Sequence, residues 1–395
     1  MYYLKQQLPG ITFETHTVYK EVLASWQNIV NESHHLLSPD IEALEASKPE
    51  DIEFRYVNII ENGELIGIMY LQCLMFNQKH YDHSLFDRPV LKYIKGFAVR
   101  QKTYVLVCGN LFRVNFQGFY FKDKSRRDLI FNCLLNYKES VHKQKNFSGI
   151  LVKDCSREFN QIQFGCHSFR SFTQDLTMEL DIQDKWATFT DYTSALSRKY
   201  RQRASKIQTS LKDIHVLDLS LEDLSRYKDK INQLYLNIVR QQSLALGILN
   251  ADYFARMKAA LGDKFKVFAY FRQDNMLAFS SHIYYPEKQY MEIHYIGLDY
   301  EANPKHQLYF NILFDGIKTA IEKKLLKIEM GRTAREAKAS AGAHPVENFN
   351  YIWIKPGFAR LVVNFLSKWF ESKIGDEWQK RHPFKSDPKS EEVQG

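Results

Sequence analysis

The sequence predicts an α+β (or α/β) chain of two tandem domains, each a mixed, mainly antiparallel central sheet flanked by helices. Three observations carry that expectation. The second half contains three strand-like runs separated by short turns, which is the pattern of a meander. Directly after it the apolar period lengthens from two to about 3.6 and is followed by one more short apolar run. A similar order is visible in the first half, offset by roughly 180–210 residues, as a divergent duplication would leave it.

In the first half, Arg55 to Ile60 and Glu64 to Phe76 flank Glu61-Asn-Gly63. Asn-Gly tolerates the positive φ angles of a tight hairpin turn. Tyr104 to Cys108 reads as a strand running into Gly109-Asn110, and the loop after it is aromatic, Leu111-Phe-Arg-Val-Asn-Phe116. Ser125 to Lys143 has helical period, with Ile130, Leu134, Leu135 and Val141 on its apolar side, and Ile150 to Val152 is a following strand. Leu176 to Leu180 alternates as a strand, and a basic helix containing Leu196 to Lys206 comes next.

The second half repeats the order more legibly. Phe265 to Phe271, Met276 to Tyr285 and Met291 to Leu298 are strands, with turns at Gln273–Asn275 and Pro286–Lys288. Tyr309, Leu313, Ile317, Ala320 and Ile321 then share one helical face. Pro304 suits the first turn of that helix, and Asn303 is a candidate N-cap. Leu326 to Met330 and Asn350 to Lys355 are further strands.

Composition sets the class. The chain has 395 residues, 45% hydrophobic and 25% charged, with 28 Phe and 23 Tyr to fill a core. Its formal charge of +8 is mild for the length and favours anionic partners over nucleic acid. No run of about 18 apolar residues is present to span a membrane, and the first ten residues lack a signal-peptide layout. The five cysteines form no CxxC, so neither a disulfide framework nor a zinc site is expected, and no metal. The expected setting is the reducing cytoplasm, or the inner face of the membrane as a peripheral protein.

Three segments bear a family resemblance. Trp186 with Leu196-Ser-Arg-Lys-Tyr-Arg201 is similar to an inter-domain helix of the GNAT acyltransferase superfamily, in the tandem-domain branch that includes the Fem-type aminoacyl transferases. Tyr295-Ile-Gly-Leu-Asp299 resembles its central strand. Gly331 through Lys338 to Gly342-Ala343 resembles the end of its second domain. The resemblance implies an N-terminal GNAT-like domain (1–180, structural), a basic inter-domain helix (181–212), an active C-terminal GNAT-like domain (213–380) and a disordered tail (381–395). It implies an N-acyltransferase that uses an acyl-CoA or acyl-carrier-protein thioester and an amine acceptor, with a lipid-like or long-chain substrate. Two alternatives stay open: a Fem-type transferase using aminoacyl-tRNA in cell-wall peptide synthesis, and a non-catalytic binding module. The superfamily's glycine-bearing pyrophosphate loop is missing, its place being taken by Glu301-Ala-Asn-Pro-Lys-His306, which argues against ordinary acetyl-CoA use.

The resemblance also directs attention to particular residues. A splay between two central strands would offer the backbone of Ile296, Gly297 and Leu298 to the donor. The next helix, with Lys305, His306 and Gln307 near its start, would offer N–H groups to an anion. Transfer to an ammonium group needs a base, and His294 or Asp299 lies where one would sit, with Tyr295 as a phenol able to protonate the leaving group. On strict alternation His294, Ile296 and Leu298 share one face, and Ile293, Tyr295 and Gly297 the other. Against these stand blander roles: a hydrogen-bonded core histidine, a turn aspartate, a structural tyrosine. Glu292 competes as a carboxylate but is expected to face solvent. Arg332 and Lys338, with Arg335 between them, could recognise a carboxylate or phosphate, or form a charged surface loop. The Arg198, Lys199, Arg201, Arg203, Lys206 run could meet a tRNA or an acidic carrier protein, or be a solvated face. Phe358 to Phe370 could lie on a membrane surface or pack as an ordinary helix.

Overall fold

Asn62 and Gly63 both adopt positive φ, +50° and +86°, and close a hairpin in which Glu61 faces Glu64. The two residue types that tolerate this backbone stand where the turn demands it. The computed structural model describes residues 8–76, 103–142, 144–160, 169–242, 247–355 and 379–385. Its strands are β1 (Ile11–His16), β2 (Ile52–Glu61), β3 (Glu64–Phe76), β4 (Thr103–Cys108), β5 (Phe119–Phe121), β6 (Phe147–Cys155) and β7 (Arg170–Asp181). They continue with β8 (His215–Asp218), β9 (Phe265–Arg272), β10 (Asn275–Tyr285), β11 (Tyr290–Leu298), β12 (Lys327–Glu329) and β13 (His344–Ile354).

The chain forms two compact units that are not consecutive in sequence. The first comprises Met1–Asp175, Val239–Ala260 and Glu347–Lys373; the second comprises Leu176–Ile238, Leu261–Val346 and Ile374–Gly395. In the first unit the strand order is β1-β2-β3-β4-β6-β13, with β5 on β3. Among the described residues only β4 and β6 are parallel there, and the helix Leu129–Ser140 makes the crossover between them. In the second the order is β8-β9-β10-β11-β12-β7. There, among the described residues, only β11 and β12 are parallel, joined by the helix Leu308–Glu322. Each sheet is therefore mixed and mainly antiparallel, with one parallel pair at its centre, as a helical crossover requires. Each also takes its sixth strand from the sequence that follows the other unit's crossover: β13 pairs with β6, and β7 with β12.

The expected apolar face of the second crossover helix is the observed one. Leu313, Ile317, Ala320 and Ile321 are buried, and Gly316 brings the helix close to Ile293 and Ile328, where an added Cβ would stand 2.9 and 3.0 Å from their methyl groups. Its start differs from expectation. A short turn, Asn303–His306, comes first; Gln307 then takes φ +48°, and the long helix begins at Leu308. Asn303 caps it across this break, its Oδ1 accepting the Tyr309 N–H at 3.0 Å. In the first unit the helix expected over Ser125–Lys143 begins at Leu129, after a 3₁₀ turn at Lys124–Arg126.

The basic helix is Arg198–Thr209, with Ala204 and Ile207 buried and its five cations exposed. Residues 381–385, expected to begin the tail, are held within the second unit. Ser197 N–H donates to Pro383 O at 2.8 Å, Lys385 N–H donates to Ala195 O at 3.1 Å, and the Phe384 ring abuts Gly342. The segment Phe358 to Phe370 and residues 386–395 lie outside the described residues. Among the described residues, no helix is long and apolar enough to cross a membrane.

Candidate functional site

The central strand of the second unit is not a regular strand. Its register against β10 steps from Ser281↔Tyr295 to His282↔Ile293, which leaves His294 as the extra residue of a β-bulge. A bulge breaks the two-residue alternation and re-aims the side chains around it. The expected facing of His294 opposite Tyr295 is thereby overturned: their ring centroids are 4.5 Å apart, edge to face. Ser281 holds the distortion, its buried Oγ accepting the Tyr295 N–H at 3.0 Å. The Tyr295 ring also meets Tyr235 edge-on at 5.5 Å.

Glu292 does not face solvent. It is 2% exposed, and its Oε1 lies 3.2 Å from His294 Nδ1, with both side chains 3% accessible. The Tyr285 hydroxyl donates to the other carboxylate oxygen at 3.4 Å. A carboxylate buried this close to an imidazole can orient the ring and stabilise its protonated form.

The register extends this pair into a row. Glu292 stands opposite Glu329 on β12, and Glu329 opposite Glu179 on β7, so one rung carries three glutamates, 2%, 1% and 5% exposed. Glu179 is neutralised by Lys327 at 2.8 Å. Glu329 accepts the backbone N–H of Gly331. Burial, then the neighbouring Glu292 charge, push its carboxyl well above the usual carboxylate range, while Lys338, the Gly331 N–H and Arg332 pull the other way. Lys338 is 2% exposed, on the helix Arg335–Ser340, and its Nζ lies 3.3 Å from where a Gly331 Cβ would be. Burial pushes its ammonium down from the usual range; Glu329 opposes that shift and Arg335 adds to it.

This rung is also where the two parallel strands part. β12 pairs with β11 only over Tyr290–Glu292, while β11 runs on to Leu298. Past Glu329 the chain instead follows β7, with Met330 N–H bonding Met178 O and Met178 N–H bonding Gly331 O. The carboxylates, His294 and Lys338 thus gather at the mouth of a splay between central strands, with Arg332 in electrostatic reach of Glu329.

The other expected residues are distributed differently. Asp299 lies five residues past His294, roughly 16 Å along a strand, and its Oδ1 accepts the N–H groups of Glu301 and Ala302 at 2.9 and 3.2 Å. That is a turn-capping geometry. Ile296 and Leu298 pair with Ser280 and Ala278 on the β10 side, and Leu298 O accepts the Asn237 side chain at 3.0 Å. Gly297 serves close packing, since a Cβ there would stand 2.2 Å from the Phe279 ring and 2.9 Å from the Leu234 backbone. Lys305 is exposed in the short turn. His306 is 4% exposed with Nδ1 3.2 Å from the Ser210 carbonyl, and Gln307 donates to Pro304 O at 2.9 Å. Glu329 and Glu179 were missed by sequence reasoning. Their only local signal was a glutamate inside a short apolar run.

The equivalent place in the first unit is filled. β4 stays paired with β6 to its last residue, Cys108↔Val152. The loop after it is buried through Phe112 and Phe116, and pinned by Arg113 to Asp40 and by Asn110 Oδ1 to the Phe112 N–H at 2.9 Å.

Comparison with known proteins agrees with this architecture. The FemAB-like family model, described as peptidoglycan biosynthesis/recognition, matches residues 114–386. No curated protein matches the chain. A tandem GNAT protein from the clavulanic acid biosynthesis pathway superposes with a TM-score of 0.50 at 8% identity, covering 87% of this chain and 97% of that one. The C-terminal domain of a putative lysylphosphatidylglycerol synthetase from Agrobacterium fabrum gives 0.49 at 11% identity, over 89% and 96% of the two chains. The fold is that of the tandem GNAT proteins.

Proposed function

The chain belongs to the FemAB-like family, and on that premise we propose that it is an N-acyltransferase, moving an acyl group from a thioester of CoA or of a carrier protein to an amine. The observation that carries the proposal is the His294–Glu292 pair at the rung where β11 and β12 part. An amine acceptor arrives as an ammonium and becomes a nucleophile only when a base removes a proton. His294 Nε2 takes that proton, and Glu292 holds the ring and offsets the new positive charge. Tyr295 sits beside the same ring and supplies a proton to the departing group. The backbone of Ile296 to Leu298 runs along the splay and positions the donor, while Arg332 faces its anionic end or that of the acceptor and Lys338, buried beside Glu329, acts behind it. Asp299 holds the turn that ends β11. The second unit carries the reaction, and the first, with its corresponding end packed by its own loop, is structural.

A second reading, in which the donor is an aminoacyl ester on tRNA in cell-wall peptide synthesis, is supported by the helix Arg198–Thr209, which has five exposed cations and no acidic residue, and its setting is in keeping with the family's description of peptidoglycan biosynthesis. The purified protein is incubated with an amine panel and either acyl-CoAs and acyl-carrier proteins or charged tRNA, with thiol release and labelled amide as readouts. Thiol release with amide formation is the expected outcome. Transfer only from charged tRNA selects the second reading, and transfer from neither overturns both.

A further inference from the structure

The row of glutamates has a use that the His294–Glu292 pair alone does not exhaust. Transfer from an ester to an ammonium releases one net proton. The nitrogen loses two as the N–C bond forms and the bond from carbonyl carbon to leaving group breaks, and the leaving group takes only one of them. The other, removed by His294, needs a nearby group to hold it until solvent does. Neighbouring strands lie about 4.8 Å apart, so Glu329 is the next carboxylate beyond Glu292 on the rung.

We propose that Glu329 is a positioning and proton-holding residue for this reaction: as His294 gains a proton at Nε2 it passes the one on Nδ1 to Glu292, and Glu329, set across the rung from Glu292 and beside Lys338 and ionised above neutrality, receives it from there. The proposal rests on the transfer reading. The surroundings fit a group that toggles rather than a permanent ion pair. Glu179 on β7 is matched by Lys327 from β12, which also lies 3.7 Å from Asp181, so that cation is engaged by two other carboxylates. On β11, Glu292 faces His294 and is joined by Tyr285 from β10. The turn and helix that follow β12 present Arg332, Arg335 and Lys338, and the Gly331 N–H gives the carboxylate a fixed donor. Two buried carboxylates side by side do not both ionise readily, so once both are charged above neutrality the pair takes a proton up again. The directions of shift at Glu329, upward, and at Lys338, downward, agree with a proton shared between them. The three glutamates are not gathered as a metal-holding group among the described residues.

The test needs no substrate. Infrared titration of the free protein in heavy water, over about pH 5 to 9, follows the carbonyl stretch of a buried protonated carboxyl. The expected result is a band that bleaches near neutrality, is missing from Glu329→Gln, and persists to higher pH in Lys338→Met, while any band of the buried Asp315 carboxyl stays in all three. A spectrum of Glu329→Gln identical to that of the parent overturns the proposal. If Glu329→Gln does not fold, Glu292→Gln serves instead: removing the neighbouring charge moves the bleaching to lower pH, and an unmoved transition refutes the coupling. In a transfer assay Glu329→Gln lowers kcat about 100-fold, leaves KM unchanged and alters the pH profile, with Glu329→Asp restoring part of the rate. A wild-type profile in Glu329→Gln also overturns the proposal. A protein that transfers nothing while the infrared band behaves as expected refutes the transfer reading alone.

Discussion

His282 offers a quantitative test of the second unit's core. It lies on β10, 1% exposed, with its ring 5.1 Å from Phe268, and neither ring nitrogen has a hydrogen-bond partner among the described residues. Burial pushes its pKa down to about 3. The sign follows from linkage. Above the unfolded-state value of about 6.5 the ring is neutral in both states and contributes no proton-linked term. As pH falls below that value the unfolded chain takes up a proton that the folded chain refuses, so stability is lost down to the folded value. Each pH unit is worth about 1.4 kcal/mol, so at pH 5 the loss is about 2 kcal/mol. His282→Leu removes both the titration and two unsatisfied buried atoms, each of which costs about 1–3 kcal/mol. Repacking around a side chain of different shape offsets part of that gain. At pH 7 the variant is expected to be as stable as the parent or about 1 kcal/mol more so, and at pH 5 its advantage grows by about 2 kcal/mol. Urea unfolding followed by circular dichroism at the two pH values, with unchanged m-values, measures the difference. If parent and variant lose the same stability between pH 7 and pH 5, the ring is solvated or paired and the reasoning fails.

Three further outcomes are expected. Gly297→Ala drives a Cβ against the Phe279 ring and the Leu234 backbone and should cost about 1–3 kcal/mol; an unchanged melting temperature would show that β11 has free space there. Asp299→Ala loses two backbone N–H partners and should destabilise the protein by about 1 kcal/mol, with transfer within about 2-fold of the parent; a collapse of activity at full stability would make Asp299 the base instead. Glu292→Gln and His294→Ala should each lower the transfer rate about 100-fold, and the double variant should be no slower than the worse single. Additive losses would mean that the two act separately.

Much of the fold could be read locally. The Asn62-Gly63 hairpin, the meander from Phe265 to Leu298 and the buried face of the helix ending at Glu322 each follow from residue types at short spacing. The helix start was misplaced because Asn303 caps it from outside, across a left-handed Gln307, rather than from the adjacent position. His294 was legible as the polar residue of an apolar strand, and Lys338 as a cation in a glycine-bearing segment. The bulge was not, since no residue at 293–295 announces it and the hydroxyl that holds it belongs to Ser281 on the neighbouring strand.

By itself the sequence determined two mixed sheets with helical crossovers, and a polar-ended strand in the second half. Hydrophobic period, turn chemistry and capping are local properties, and those elements depend on them. Only the tertiary structure decided which charges meet. Glu179, Glu292 and Glu329 share a rung because strand register places them there, and register is set by backbone pairing between residues 37 and 150 positions apart. Burial there then pushes a solvated-looking glutamate's carboxyl up and a nearby lysine's ammonium down.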